Sequence, residues 1–182
     1  TVISIIWSSA NKDGLTAESV RRIETGIQSC GETVQNIYLN DLDIAHCLAC
    51  DRGWGVCKSE GRCITEDDFQ AVYKAIVDSD AVVFVTAVYW HDTTECFKAF
   101  FDRFRRLETA RNHSVAKKNC LLVACAGGTG NGAVRCLENL DHAAEHMDMV
   151  PLDRLPVIQF NKTYMLPALE KAGRALARHI AQ

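Results

Sequence analysis

The feature that most constrains the fold is a repeated alternation between short apolar runs and longer segments with helical periodicity. The apolar runs, built mostly from Val, Ile, Leu and Ala, fall at residues 2–7, 34–39, 81–86, 120–126 and within 149–158. Nearly continuous runs of this length are typical of strands buried on both faces of a parallel sheet. The amphipathic helical patterns occupy residues 16–29, 67–78, 95–107, 131–146 and 166–180.

This alternation predicts one doubly wound α/β domain over residues 1–182, with no internal domain boundary. Five strands in 182 residues favour the flavodoxin-like strand order 2-1-3-4-5 over the dinucleotide-binding order. Gln35 and Asn36 interrupt the second run and indicate an edge strand. In both orders ligands bind beyond the carboxyl ends of the strands, so the loops there are the candidate sites.

Charge and hydropathy exclude two classes of protein. Twenty basic and 23 acidic residues give a net charge of −3, which removes the electrostatic basis for a general nucleic-acid binder. The longest apolar run, residues 81–90, is far shorter than the roughly 18 residues that a membrane-spanning helix needs. Because the first residues carry no basic leader either, we expect a soluble cytoplasmic protein.

The loop after the first strand contains Ser8, Ser9, Lys12, Gly14 and Thr16. Hydroxyl donors and a glycine in front of a helix suit a phosphate, because the helix N-terminus adds free N–H groups and partial positive charge. The alternative is an ordinary polar turn in which Thr16 is the N-cap. The residues alone leave both interpretations open.

The loop after the third strand places Tyr89 and Trp90 side by side. Flat rings at the carboxyl end of a strand suit a flat ligand. The alternative is a pair of half-buried aromatic residues at the edge of the sheet.

The loop after the fourth strand holds four glycines within residues 126–133, which lets the backbone approach a ligand closely. Gly128, Gly130 and Ala133 also match the spacing G-x-G-x-x-A of a dinucleotide fingerprint. That fingerprint belongs after the first strand, so its position here argues against a dinucleotide-binding fold.

Nine cysteines are unusual for a cytoplasmic chain, in which thiols stay reduced and a disulfide framework is not expected. Five of them are scattered among apolar residues and are predicted to be small buried side chains: Cys30, Cys96, Cys120, Cys125 and Cys136. The other four lie close together in a cysteine-rich insertion at about residues 43–65: Cys47, Cys50, Cys57 and Cys63.

Residues 63–69, 79–90 and 98–103 together strongly resemble the flavodoxin-like NAD(P)H-dependent FMN reductases, and most closely their iron–sulfur flavoprotein branch. The resemblance implies that the first loop holds the FMN phosphate, through Ser9, Asn11, Lys12, Gly14, Leu15 and Thr16. It implies that the second loop lines the isoalloxazine, through Ala87, Val88, Tyr89 and Trp90. Gly127, Gly128 and Asn131 resemble the loop that closes over the other side of the flavin.

The sequence departs from the family pattern at three positions in these loops. Ala10 and Ala87 stand where prolines are usual, and Asn11 stands where an arginine is usual. Loss of that arginine removes a bidentate phosphate partner, for which Lys12 offers a point charge instead.

The cysteine spacing C-x2-C-x6-C-x5-C resembles the compact cysteine run of iron–sulfur flavoproteins, in the same place but with extra residues around Gly53-Trp54-Gly55. The resemblance implies that Cys47, Cys50, Cys57 and Cys63 ligate a [4Fe–4S] cluster. An all-cysteine zinc site and four free thiols are the alternatives that remain open.

The resemblance therefore implies an FMN-dependent oxidoreductase that takes hydride from NAD(P)H and passes electrons to a small-molecule or protein acceptor, as a homodimer or higher homo-oligomer. No residue is predicted to act as a general acid or base, and Tyr89 and His91 are candidates to contact substrate. The competing hypothesis is a flavin-free thiol or metal-binding redox sensor that uses only the cysteine-rich insertion.

Two other patterns are weaker. His142, Glu145 and His146 match the H-x-x-E-H string of zinc proteases, but a solvated helix surface is the better interpretation. Residues 98–118 contain seven Lys or Arg side chains, which indicates a solvated face or an entry surface for a phosphorylated nicotinamide or an acidic partner.

Overall fold

The computed structural model describes all 182 residues and contains one five-stranded sheet in the order β2-β1-β3-β4-β5, with every neighbouring pair parallel. The predicted fold class and strand order are therefore confirmed. The strands are β1 (Val2–Ser8), β2 (Thr33–Tyr38), β3 (Ala81–Ala87), β4 (Asn119–Ala126) and β5 (Val150–Ile158).

Six helices connect or follow the strands, and five of them are the predicted ones with shifted ends. The unpredicted helix, α2, is a single short turn inside the cysteine-rich insertion. The helices are α1 (Leu15–Gln28), α2 (Val56–Glu60), α3 (Phe69–Asp78), α4 (Glu95–Ala110), α5 (Ala133–His146) and α6 (Lys162–Ile180). No helix combines the length and the apolar character that crossing a membrane would take.

The helices cover both faces of the sheet, because successive residues of a strand point to opposite faces. On one face, α1 and α6 pack against residues such as Ile5 and Val83. On the other face, α3, α4 and α5 pack against residues such as Ile6 and Phe84. Strands covered on both sides explain why the apolar runs are nearly continuous.

The two edge strands are the least regular parts of the sheet. β2 is only partly buried, as Gln35 and Asn36 indicated. β5 pairs Cys120 with Pro151 and Leu121 with Asp153, so one residue bulges out between them. An edge strand tolerates prolines and a bulge because one of its sides carries no ladder hydrogen bonds.

The five scattered cysteines divide into two groups. Cys120, Cys125 and Cys136 are buried as predicted, and burial raises the pKa of their thiols to about 12, 11 and 12. For Cys30 and Cys96 the prediction was wrong, because both are only half-buried. Cys96 starts α4 at the strand-end loops and Cys30 follows α1, so neither lies under the centre of the sheet.

Candidate functional site

The loops that follow β1, β3 and β4 lie side by side, because these strands are parallel and aligned. Ser8 at the end of β1 pairs with Thr86 of β3, and Thr86 pairs with Ala124 of β4. Residues 9–14, 88–94 and 127–132 therefore leave the same edge of the sheet. We call these three loops the carboxyl edge.

Asn40, just beyond β2, holds the start of the first loop. Its Oδ1 accepts hydrogen bonds from Ser8 Oγ at 2.7 Å and from Ser9 N at 3.2 Å. The Tyr38 hydroxyl donates to the Ser9 carbonyl at 2.6 Å. The sequence analysis did not single out Asn40, although its position past the carboxyl end of a strand was a usable signal.

Helix α1 begins at Leu15 with Gly14 as its N-cap, and no side chain caps this end. The alternative in which Thr16 is the N-cap is wrong, since Thr16 is the second helical residue and is buried. A Cβ on Gly14 would lie 2.9 Å from Nδ2 of Asn11, so a larger residue there would displace the Asn11 side chain. The first N–H groups of α1 have no capping side chain, which makes them available to an anionic ligand.

Lys12 lies at the surface beside β2. Its Nζ is 2.6 Å from Asp41 Oδ1 and 5.3 Å from the centre of the Tyr38 ring. The hydrogen bond to the Asp41 carboxylate raises the pKa of Lys12. In the structure the lysine charge is thus paired with Asp41 at an exposed position.

Three buried hydroxyls lock the ends of β1 and β3 to the start of α4. Ser8 Oγ and Thr94 Oγ1 are 2.5 Å apart, and Thr94 N donates to Thr86 Oγ1 at 3.2 Å. Thr94 Oγ1 also accepts from Phe97 N at 3.0 Å, which makes Thr94 the N-cap of α4. These hydrogen bonds fix where the second loop ends and α4 begins.

The second loop is a tight hairpin turn. Tyr89 N donates to the Asp92 carbonyl at 2.8 Å, and Asp92 N donates back to the Tyr89 carbonyl at 3.1 Å. The two residues between them, Trp90 and His91, have φ of 46° and 68°. Left-handed backbone at two non-glycine residues costs free energy, and such strain concentrates at ligand sites. The turn leaves the Trp90 side chain 92% exposed.

The second and third loops meet at Gly132, which has a φ of 87°. A Cβ there would lie 2.7 Å from the Cα of His91, so both the conformation and the contact require glycine. The two loops enclose a cleft of about 340 Å³, within the usual range for small-molecule sites. The cleft is lined by Val88, Trp90, His91, Ala126, Gly127, Gly128, Thr129, Gly130 and Asn131.

The predicted flavin residues divide between this cleft and its surroundings. Five of them line it: Val88, Trp90, Gly127, Gly128 and Asn131. The remaining eight do not line it: Ser9, Asn11, Lys12, Gly14, Leu15, Thr16, Ala87 and Tyr89. Of these, the first six belong to the first loop and the start of α1, at the same edge of the sheet.

The four cysteines of the insertion all line a second, separate cavity, which we call the cysteine cavity. Each of the four is half-buried. The cavity measures about 30 Å³, which is room for one water molecule. Its wall contains no carboxylate and no imidazole: Cys47, Leu48, Cys50, Gly53, Val56, Cys57, Cys63, Ile64, Thr65, Arg103, Arg106 and Leu107.

Arg103 of α4 ties the insertion to the domain. Its Nη1 donates to Asp67 Oδ2 at 2.7 Å and to the Ala45 carbonyl at 3.0 Å, and its Nη2 donates to the Thr65 carbonyl at 3.0 Å. Burial by itself would raise the pKa of Asp67, but hydrogen bonds from Arg103 and from the N–H groups of Ala45 and Phe69 outweigh it and lower that pKa. Both ends of the insertion are thus bound to one buried ion pair.

A second arginine of α4, Arg106, holds the middle of the insertion. It donates to the Gly53 carbonyl, and its guanidinium lies 5.0 Å from the centre of the Trp54 ring. Next to this contact the backbone is left-handed at Ala49, Asp51 and Arg52, with φ of 47°, 47° and 63°. The insertion is therefore strained and contains no strand.

The four cysteines of the insertion share a cavity but are not placed to bind one metal ion together. No group of three or more His, Cys, Asp or Glu side chains in the structure is placed to hold a metal ion. The same finding applies to His142, Glu145 and His146, which are exposed on α5, as the solvated-surface interpretation expected.

Residues 98–118 do not form one solvated face, because Arg103 is buried and Lys118 donates to the Val77 and Ser79 carbonyls.

The family model and the curated relatives that match this chain all describe flavin-dependent proteins. A family model described as NADPH-dependent FMN reductase matches residues 1–162. An iron-sulfur flavoprotein of Archaeoglobus fulgidus is 26% identical over 54% of this chain and 43% of its own length. One of Methanosarcina thermophila is 28% identical over 56% of this chain and 50% of its own length. The matches thus span about half of these relatives.

Solved structures confirm the fold. A flavone reductase superposes with a TM-score of 0.74 at 16% identity, over the whole of this chain and 64% of the other. A flavodoxin from the domain Archaea superposes with a TM-score of 0.66 at 13% identity, over the whole of both chains. At these identities the superpositions establish the flavodoxin-like architecture alone.

Proposed function

The chain belongs to the NADPH-dependent FMN reductase family, and we propose that it is an FMN-dependent oxidoreductase that uses NAD(P)H and carries a [4Fe–4S] cluster in its cysteine cavity. Electrons would leave for a small-molecule or protein acceptor. The observation that carries the proposal is the position of an uncapped helix N-terminus and an aromatic, glycine-lined cleft at one edge of a flavodoxin-like sheet.

The carboxyl edge suits the two chemically different parts of FMN. The free N–H groups at the start of α1, with Ser9 and Thr16, would bind the phosphate. Val88 and Trp90 would flank the ring on one side of the cleft. On the other side, a Cβ at Gly127 or Gly128 would meet nothing within 4 Å, so the backbone there is open to a close ligand. When bound, FMN supplies the hydride and single-electron chemistry, and the chain supplies orientation.

The donor set of the cysteine cavity fits an iron–sulfur cluster. Four thiols line it together with two guanidinium groups, and cysteine thiolates are the usual ligands of iron–sulfur clusters. A zinc site needs all four sulfurs about 2.3 Å from one ion, whereas each thiolate of a cubane cluster binds its own iron. The preference for a cluster over zinc rests on the similarity to iron-sulfur flavoproteins, since no group of three or more His, Cys, Asp or Glu side chains in the structure is placed to hold a metal ion. The cavity, which measures about 30 Å³, would have to widen to admit a cluster.

One experiment tests both cofactors. We expect protein purified anaerobically to show the two visible bands of a flavin and a broad cluster absorbance, to release FMN on heating, and to contain iron and sulfide. FAD as the major released species, or no flavin, would refute the flavin site. Zinc alone, or four alkylatable thiols without metal, would refute the cluster and leave a plain flavin reductase. Cluster without flavin would favour the sensor hypothesis.

We also propose that the protein is a homodimer or higher homo-oligomer whose subunits cover the carboxyl edge. Exposed aromatic side chains lie there: Trp90 is 92% exposed, and Phe160, just past β5, is 84% exposed. Gln159 donates to the Gly127 carbonyl at 3.0 Å, which keeps the Phe160 segment next to the cleft. Light scattering at micromolar concentration should give at least twice the monomer mass, and a clean monomer would contradict the proposal.

A further inference from the structure

One buried polar atom has no hydrogen-bond partner in this protein. It is Nε of Arg103, the only buried side-chain nitrogen or oxygen atom in the structure without one. The residue is 3% exposed, so bulk water does not solvate it. Buried donors are almost always paired in folded proteins, and an exception points to a missing partner.

Both terminal nitrogens of the Arg103 guanidinium have partners. Nη1 donates to Asp67 Oδ2 and to the Ala45 carbonyl, and Nη2 donates to the Thr65 carbonyl. The guanidinium carbon also lies 4.3 Å from the centre of the Phe69 ring, so Nε is the one nitrogen of the group without a hydrogen bond. Arg103 also lines the cysteine cavity, whose other wall residues are the four cysteines and mostly apolar side chains. Apart from the Thr65 hydroxyl and backbone carbonyls, the acceptors that this cavity offers to a neighbouring donor are the four sulfur atoms.

We propose that Arg103 is a positioning residue for the cysteine cavity, and that its Nε–H donates a hydrogen bond to a cysteine thiolate or a sulfide of the bound cluster. The inference rests on the proposed function, since it assumes that a cluster binds there. Hydrogen bonds to cluster sulfurs stabilise the more negative, reduced form and so raise the reduction potential. Arg103 thus holds the insertion through its Nη atoms and tunes the cluster through Nε.

The competing explanation is a water molecule. The cavity has room for one, and a water could accept the Nε–H hydrogen bond without any cluster. In that case Arg103 would be structural, and replacing its Nε would not alter the potential of a cluster elsewhere in the cavity.

Three variants of the anaerobically purified holoprotein separate these explanations. Arg103→Lys keeps a positive charge for Asp67 but removes the Nε–H. Asp67→Asn keeps the Nε–H but removes the balancing negative charge. Arg106→Lys is the matched control on the same helix, because Arg106 lines the same cavity and has the Gly53 carbonyl as its acceptor. The measurement is the cluster reduction potential, followed by absorbance in a dye-mediated titration, with iron content measured alongside.

We expect Arg103→Lys to shift the potential to more negative values and Asp67→Asn to shift it the other way, since the latter leaves an uncompensated cation beside the cluster. Arg106→Lys should shift it less than Arg103→Lys does. An unchanged potential in Arg103→Lys, or shifts of the same sign in Arg103→Lys and Asp67→Asn, would overturn the inference. Absence of iron from the wild-type protein would instead refute the proposed function.

A second measurement covers the case in which Arg103→Lys does not fold or does not load iron. Wild-type protein and Arg106→Lys, labelled with 15N-arginine and reduced by one electron, should both show a weak 15N coupling to the cluster in pulsed EPR. A coupling that is absent from the wild type, or that disappears in Arg106→Lys, would show that Arg103 does not donate to the cluster.

Discussion

The carboxyl edge and the cysteine-rich insertion carry the two proposed cofactors but are built in opposite ways. The carboxyl edge continues from three aligned strands, and buried hydroxyls such as Ser8 and Thr94 fix it. The insertion contains no strand, has left-handed backbone at three non-glycine residues, and is held by Arg103 and Arg106. Buried side-chain hydrogen bonds fix the first region, whereas the second contains a buried donor without a hydrogen-bond partner, Nε of Arg103.

The largest expected contrast is in thiol reactivity. In metal-free protein at pH 8, iodoacetamide should modify the four half-buried cysteines of the insertion at least ~100-fold faster than Cys120, Cys125 and Cys136. Burial raises the pKa of those three thiols to about 12, 11 and 12, and only the thiolate reacts. Peptide mapping by mass spectrometry measures the rates. Comparable rates at all seven sites would show that the insertion is as tightly packed as the core, and denatured protein, in which all nine should react, is the control.

The next contrast is in metal content. Cys57→Ala should lower the iron-to-protein ratio about tenfold or more while leaving the FMN-to-protein ratio unchanged, because a cluster with three cysteines is labile. Transfer to one-electron acceptors should fall before transfer to quinone-like acceptors. Cys30→Ala is the matched control, since Cys30 lies in neither region. Full iron content in Cys57→Ala would remove Cys57 from the ligand set.

A substitution at the carboxyl edge should affect only flavin binding. Thr16→Val is expected to weaken FMN binding by about 1–3 kcal/mol, the cost of leaving a buried polar partner unpaired, and to leave iron content unchanged. Thr25→Val is the control, because Thr25 lies on the same helix and its hydroxyl only donates to the Arg21 carbonyl. Fluorescence titration of the apoprotein with FMN measures both affinities. Equal affinities in the two variants would exclude Thr16 from the phosphate site.

The sequence predicted most of the regular structure, because the signal is local. Strands buried on two faces must be apolar throughout, so a run such as residues 81–86 can be recognised as a strand from the sequence alone. Their carboxyl ends then locate the three loops without further information. The bulge in β5 was missed because it depends on how Pro151 pairs with β4, which no local pattern records.

The sequence predicted less of the insertion, because its conformation depends on contacts with residues that are distant in the chain. The four cysteines were singled out because they lie close together in the chain, and their role as ligands was implied by the family resemblance. Arg103, however, looked like one charge among seven in residues 98–118, and only the fold places it against Asp67 and the cysteine cavity. The contacts of Asn40 with Ser8 and Ser9 also cross between strands, although its position past the end of the second strand was a local signal.

The smallest expected effect concerns the scaffold that both regions share. Glu108 of α4 is fully buried, and its Oε1 accepts hydrogen bonds from the Tyr73 hydroxyl at 2.5 Å and from Ser114 Oγ at 2.6 Å. Val115 N donates to its Oε2 at 2.9 Å. Tyr73→Phe removes one donor and leaves Glu108 with the other two. We therefore expect a loss of about 1 kcal/mol in the free energy of unfolding at neutral pH, with unchanged iron and FMN content.

The pH dependence of that loss identifies its cause. Burial and the hydrogen bond to Glu108 raise the pKa of Tyr73 to about 12, from 10. A raised pKa stabilises the folded state fully below the unfolded pKa, and this contribution is lost as the pH rises from about 10 toward 12. The difference between wild type and Tyr73→Phe should therefore shrink over that interval in urea denaturation, since the buried thiols titrate alike in both proteins. A constant difference would mean that lost packing, not the hydroxyl, causes the effect, and a parallel loss of iron would mean that the insertion depends on this scaffold more than on its arginines.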